Sequence, residues 1–376
     1  FRLRSSSSSS SVASEEGGGK NDKDEEENGE RTTIGVIGSG AVGCYYGARL
    51  WECGEYDVKF HMRGEHYEAS KENGLLLTSV DRDVHIPPTL LQTYSDPSEI
   101  GPVDWVLLCL KSTGLNAAPD LVRPLLKPTT RVLAVMNGLV DEDLVRLIEG
   151  QGEEDEPQLT KCAATYGGMA LLCSNRVGPG VVDHSYAGKL TVAVASSSSS
   201  SSSTGSSSFP SNEDRDAVID LFAPTSVEFV YEPSIIRGRW SKNCWNLPFN
   251  GISVAMGGIT VDKIVTDPGL RRLAYGVMDE TIAIGNEALR RSGADSEADP
   301  QLFLGEVERK AMMDLSDGMG PYKTSTMLDL TNRRPMEVKY LFRKAVDTAK
   351  KLGVEAPHLE TVVAQIEAHQ RFHNLY

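Results

Sequence analysis

The stretch Thr32-Thr33-Ile34-Gly35-Val36-Ile37-Gly38-Ser39-Gly40-Ala41-Val42-Gly43 decides the fold. Its first half is a short β-branched run, the pattern of a parallel strand buried on both faces. It passes without a spacer into Gly-x-Gly-x-x-Gly, then a helical stretch from Cys44 to Cys53 and a second strand from Tyr56 to Met62. In that order, strand, glycine turn, helix and strand form a dinucleotide-binding signature. Gly38 permits the tight turn, Gly40 lets a pyrophosphate approach the backbone, and Gly43 lets the helix lie close on the strand. Ser39, Ala41 and Val42 complete a turn whose N–H groups face a negative charge.

The end of the second strand selects the dinucleotide. NAD-binding folds place an Asp or Glu about 20 residues beyond the glycines to accept a ribose hydroxyl. Here that position is Arg63. A guanidinium suits a 2′-phosphate and accepts no proton, so the expected cofactor is NADPH. Two more strand patterns follow, Val103 to Leu110 and Arg131 to Met136, ending at Lys111 and at Asn137-Gly138. Strand carboxyl ends line the ligand crevice of an open α/β sheet, which makes Lys111 and Asn137 candidates for cofactor or substrate contact.

From about residue 234 the patterning turns helical. Lys242, Asn246 and Asn250 fall at i, i+4 and i+8, so a helix stacks them on one face amid Trp, Cys, Leu and Phe. Burial lowers a lysine toward the range useful for proton transfer, and two asparagines offer donors and acceptors to substrate oxygens. Pro248 lies inside the stripe and predicts a kink or broken turn. Further on, Ser325-Thr326-Met327-Leu328-Asp329 leads to Arg333-Arg334-Pro335-Met336-Glu337. Glu337 stands at the start of a helix whose stripe runs from Val338 to Leu352, with Gly353 placed to end it.

The chain has 376 residues, 53 acidic against 38 Lys and Arg, for a net charge of −15. That acidity argues against a nucleic-acid partner, which requires a basic patch. No apolar run reaches the ~18 residues of a spanning helix. The six cysteines contain no Cys-x-x-Cys pair and read as buried thiols, neither a disulfide scaffold nor a zinc site. Residues 1–31 read as a disordered acidic, serine-rich tail. Cytoplasmic placement is the expectation; import into an organelle is the alternative if Arg2, Arg4 and the serines are a transit-peptide remnant. The expected organisation is an α/β, Rossmann-type doubly wound domain over 32–232, with an inserted serine-rich loop at 196–208, then an all-helical catalytic domain over 233–376.

The sequence Gly38-Ser39-Gly40-Ala41-Val42-Gly43-Cys44-Tyr45-Tyr46-Gly47-Ala48-Arg49-Leu50 resembles the opening of the ketopantoate reductases. Lys111, Asn137-Gly138, the Lys-x3-Asn-x3-Asn helix and the Ser-x3-Asp…Arg-Pro-x-Glu segment resemble the same family in the same order. The resemblance implies NADPH-dependent reduction of a small 2-oxo acid, 2-dehydropantoate, to (R)-pantoate, a step toward pantothenate and coenzyme A. It implies Lys242 as general acid, Glu337 positioning and tuning that lysine, and Asn246, Asn250 and Ser325 holding substrate oxygens. Asn137 then sits between nicotinamide and substrate, and Arg63 and Lys111 touch the phosphate end of the cofactor. A homodimer is compatible with this picture. The family's better-known members carry proline after the second asparagine, whereas here Pro248 precedes Asn250. The alternatives are a reductase of another branched 2-oxo acid and a non-catalytic NADPH sensor; a sensor has no use for a proton donor opposite the nicotinamide.

Overall fold

The computed structural model describes residues 31–149, 162–197 and 211–376; apart from Arg31, Ser196 and Ser197, the expected tail and serine-rich loop lie outside the described residues. Among the described residues, ten strands form one sheet: β1 (Thr33–Ile37), β2 (Asp57–His61), β3 (Leu75–Ser79), β4 (Val84–Ile86), β5 (Gln92–Tyr94), β6 (Trp105–Leu108), β7 (Arg131–Val135), β8 (Ala164–Gly178), β9 (Val181–Ser197) and β10 (Phe229–Tyr231). The order is β4-β3-β9-β8-β7-β6-β1-β2-β5, with β10 paired to β9. Strands β5, β2, β1, β6, β7 and β8 are parallel to their neighbours, and the long β8–β9 hairpin then turns the sheet antiparallel. After β1 the chain forms β2 on one side, makes β3 and β4 at the far edge against β9, adds β5 beside β2, and then reverses to β6 on the other side of β1. The ligand crevice of a doubly wound sheet opens at such a reversal, beyond the carboxyl ends of β1 and β6.

Helix α1 (Ala41–Glu52) follows β1, and α2 (Glu65–Asn73) follows β2; α3 (Ala118–Val122), α4 (Asp141–Glu149) and α5 (Asn212–Phe222) complete this lobe. From residue 235 the chain is helical: α6 (Ile235–Trp245), α7 (Gly251–Ala255), α8 (Val261–Thr266), α9 (Pro268–Arg291), α10 (Glu306–Asp317), α11 (Ser325–Thr331), α12 (Lys344–Leu352) and α13 (Pro357–His373). Two π-turns interrupt it, Asn246–Asn250 and Lys339–Arg343. The first contains Pro248, so the break expected from the missing N–H takes the form of a widened turn that keeps the helix axis continuous into α7. The second occupies the start of the stripe expected as one helix from Val338, and Gly353, at φ +73°, ends that stripe in the left-handed region as anticipated.

Core residues segregate with this change of pattern. One apolar core runs from Trp240 to Leu375 in the helices, and two others flank the sheet, with residues from Ile34 to Val227 joined by Tyr340. All lie in a single compact unit, Thr32–Tyr376. Four cysteines are buried and two partly so, and none is in a disulfide. Among the described residues no helix is long and apolar enough to cross a membrane.

Candidate active site

At the end of β1 the glycines are required by contact. Gly38 has φ +88°, and a Cβ there would lie 2.8 Å from the Cys109 carbonyl, which follows β6. A Cβ on Gly43 would come within 2.4 Å of the Gly38 oxygen, whereas Gly40 faces open space. No side chain caps the start of α1, so its first-turn N–H groups are left toward that space. Ser39 does not face a ligand through its hydroxyl, which donates to the His61 carbonyl at 2.8 Å and ties the turn to the end of β2. A cavity of about 350 Å³ lies over the turn, lined by Gly38, Ser39, Gly40, Arg63, Lys111 and Arg176. Arg63 is exposed and has no ion-pair partner among the described residues.

A larger cleft, about 540 Å³, continues from Gly40, Ala41 and Val42 between the two lobes, reaching Asn137, Ser325 and Glu337. Lys111 spans it, its Nζ 2.5 Å from a carboxylate oxygen of Asp329 on α11. Asp329 is buried while Lys111 is half exposed. The buried Glu337 carboxylate accepts the Ser112 backbone N–H at 2.7 Å. Burial pushes Glu337 above its ordinary value, opposed by the Ser112 hydrogen bonds, the Lys111 charge and a hydrogen bond from Asn137. Gly138, at φ +84°, lets the chain after Asn137 meet the second π-turn: a Cβ there would lie 2.6 Å from the Tyr340 carbonyl, and Leu139 donates to that oxygen at 2.9 Å. The Asn-Gly pair is thus a docking point of one lobe on the other.

The chemistry-bearing stripe is on α6 and the first π-turn. Ser234 caps α6, its hydroxyl accepting from Arg237 N at 3.3 Å. Asn250 and Asn246 are buried and joined, Asn250 Nδ2 donating to Asn246 Oδ1 at 3.3 Å. Asn250 Oδ1 accepts from the Ser325 hydroxyl at 3.3 Å and from Thr326 N at 3.2 Å, at the start of α11. Asn246 Nδ2 is buried with no partner among the described residues, a donor open to a ligand oxygen. One turn earlier, Lys242 is partly buried and has no hydrogen-bond or ion-pair partner among the described residues. Its Nζ lies 5.9 Å from the Trp245 ring centroid. Burial lowers its pKa to about 8, with the neighbouring Cys173 thiol of β8 acting weakly the other way.

The structure therefore joins Asn246, Asn250 and Ser325 in one network, and brings Ser325, Glu337, Asn137 and Lys111 to one cleft. It does not bring Glu337 into hydrogen-bond contact with Lys242; its partners are Ser112 and Asn137. Lys242 is not among the residues lining the cleft cavity; it stands beside Cys173, whose chain neighbour Ser174 does line it. Sequence reasoning missed Arg176 and gave Asp329 no role. The fixed spacing from Ser325 to Asp329, one helical turn, was the available signal for Asp329; Arg176 sits in a hairpin with none.

Residues 34–197 match the family described as ketopantoate reductase PanE/ApbA, and residues 234–370 match that family's C-terminal domain. The chain belongs to the ketopantoate reductase family. A 2-dehydropantoate 2-reductase of Nostoc sp. is 31% identical over 88% of this chain and 93% of its own length. One from Mesorhizobium japonicum is 30% identical over 89% and 96%. The crystal structure of 2-dehydropantoate 2-reductase from Geobacter metallireducens superposes with a TM-score of 0.75, at 31% identity over 89% of this chain and 99% of that one. The chain is thus an oxidoreductase of the ketopantoate reductase type, with a nicotinamide dinucleotide, NADPH in this family, as cofactor. The residues present fit that cofactor: open space at Gly40, an uncapped helix start, and Arg63 beside them.

Proposed function

We propose that this chain reduces 2-dehydropantoate to (R)-pantoate with NADPH, on the path to pantothenate and coenzyme A, and that Lys242 is the general acid. The observation that carries the reading is an unpaired lysine, lowered to about 8, one turn from the buried pair Asn246–Asn250. NADPH supplies the hydride. Lys242 holds its proton at Nζ below about pH 8 and gives it to the carbonyl oxygen as negative charge develops there. Asn246, Asn250 and Ser325 hold the remaining oxygens, while Asn137 and Glu337 set the floor of the cleft. Arg63 and Lys111 take the phosphate end of the cofactor.

Steady-state NADPH oxidation with 2-dehydropantoate tests the reading. Lys242→Ala is expected to lower kcat by roughly 10²–10⁴-fold, the usual worth of a positioned acid, with the dissociation constant for NADPH unchanged. Unchanged turnover removes Lys242 as the acid. One observation keeps a second reading open: the Tyr322 ring lies edge-on to Trp245 at 6.0 Å, giving the lysine an aromatic wall. Such a wall also suits a bulkier branched 2-oxo acid. A panel of 2-oxo acids compared by kcat/KM separates the two, and NADPH binding with no turnover on any of them would point to the sensor.

A further inference from the structure

The β8–β9 hairpin does more than extend the sheet. Gly180, at its tip, donates its backbone N–H to His66 Nδ1 at 2.9 Å, and His66 Nε2 lies 3.6 Å from Cys44 Sγ on α1. Cys44 Sγ in turn reaches the Ser39 carbonyl at 3.3 Å. Burial, reinforced by the Arg176 charge, holds His66 below its ordinary value, so the ring is neutral and free to accept from Gly180. The hairpin tip is therefore anchored to the glycine turn through His66 and Cys44. The ladder is irregular between Arg176 and Gly178, and such irregularities re-aim side chains beside ligand sites.

Arg176 lines both cavities, the one over the glycine turn with Arg63 and the cleft that begins at Gly40, Ala41 and Val42; Arg63 lines only the first. Arg176 is exposed and has no ion-pair partner among the described residues, in a chain where acids outnumber bases 53 to 38. A dinucleotide in a doubly wound fold runs from the end of the second strand, across the first helix start, to the switch point, with its pyrophosphate over that helix start. Arg63 is at the first of these stations and Arg176 at the second. We infer that Arg176 is a cofactor-binding residue that clamps the pyrophosphate against the start of α1, leaving discrimination of the 2′-phosphate to Arg63. A guanidinium fork matches two phosphate oxygens, and the anchored hairpin holds it in place before the cofactor arrives.

The inference rests on the cofactor reading, and three ligands separate its parts. NADPH carries both groups, NADH carries the pyrophosphate without the 2′-phosphate, and adenosine 2′-monophosphate carries the 2′-phosphate with no 5′-phosphate. Dissociation constants from fluorescence titration or calorimetry are expected to rise about 10- to 100-fold for both NADPH and NADH in Arg176→Ala, the loss of a charge-assisted pair, with adenosine 2′-monophosphate unmoved. Arg63→Ala is expected to show the reverse pattern, weakening NADPH and adenosine 2′-monophosphate and sparing NADH. Being exposed, neither arginine is needed for folding. If the wild-type chain bound neither dinucleotide, the cofactor reading would fall and this one with it. If it binds them and Arg176→Ala leaves NADH unaffected, or weakens adenosine 2′-monophosphate as much as NADPH, the assignment of Arg176 alone is overturned.

Discussion

In the proposed reading, the two lobes meet their ligands by different means. Around Gly38, Gly40 and Gly43 the recognition surface is backbone: a turn that admits no Cβ at two positions, an uncapped helix start and open space at the third. In the helical lobe it is side chain: an unpaired lysine, two amides joined to each other and a serine from another helix. A backbone device is written into a few consecutive residues, because only glycine satisfies its sterics. A side-chain device depends on elements far apart in the chain, here α6, a π-turn and α11.

The sharpest way to break the first device is Gly43→Ala. Its Cβ would stand 2.4 Å from the Gly38 oxygen, a backbone atom that cannot swing aside. Relief requires α1 to move off β1, at about 1–3 kcal/mol of stability by analogy with overpacked cores. The same movement displaces the helix start from the pyrophosphate. Thermal denaturation is expected to show a lowered midpoint, and titration at least a tenfold weaker binding of NADPH and NADH alike. Gly40→Ala is the control: nothing lies within 4 Å of that Cβ, so stability is expected to hold while the cofactor, approaching that same space, binds less well.

This contrast also explains what the sequence made legible. The strand–turn–helix unit, the strands ending at Lys111 and Asn137, and the break at Pro248 were all readable, because each follows from local sterics or from a short periodic run. The partners of Lys111 and Glu337 were not. Lys111 meets Asp329 and Glu337 meets Ser112 across more than 200 residues of chain, and no local pattern encodes such a meeting. Arg176 was invisible for a related reason: its place depends on a hairpin tip held by His66, and nothing near Arg176 in the chain marks that contact.

The pH dependence of turnover sharpens the second device. Lys242 is lowered to about 8, so its acid form predominates below that value and falls about tenfold per pH unit above it. The alkaline limb of kcat/KM for reduction is therefore expected to bend near pH 8, more than two units below an ordinary lysine at ~10.4. On the acid side, Glu337 is raised by burial, so its carboxylate is neutralised at higher pH than an exposed glutamate and loses strength as acceptor for Ser112. In Glu337→Gln, neutral at every pH, that acid limb is expected to be lost, leaving the alkaline bend in place. An alkaline limb that moves with Glu337 would couple it to Lys242, as the family resemblance implied and the hydrogen bonds here do not show.

The smallest effect belongs to the contact where the two devices touch. The Lys111–Asp329 pair, at 2.5 Å, places a buried carboxylate from the helical lobe on a lysine of the sheet lobe, inside the cleft proposed for the dinucleotide. The salt dependence of binding distinguishes two roles for Asp329. As a competitor it occupies the ammonium that a phosphate would otherwise attract, and as a guide it holds that ammonium in place. Asp329→Asn keeps the shape and an acceptor oxygen but removes the charge. Because Lys111 is half exposed, the pair contributes little stability, within about 1 kcal/mol, so the denaturation midpoint is expected to move only slightly. If Asp329 competes, NADPH binds about two- to fivefold more tightly in the variant at low ionic strength, and the gain fades in 0.5 M salt, where screening acts over roughly 4–5 Å. Weaker binding at every salt concentration would instead make Asp329 the guide. The inter-lobe ion pair would then belong to the cofactor site and not stand in its way.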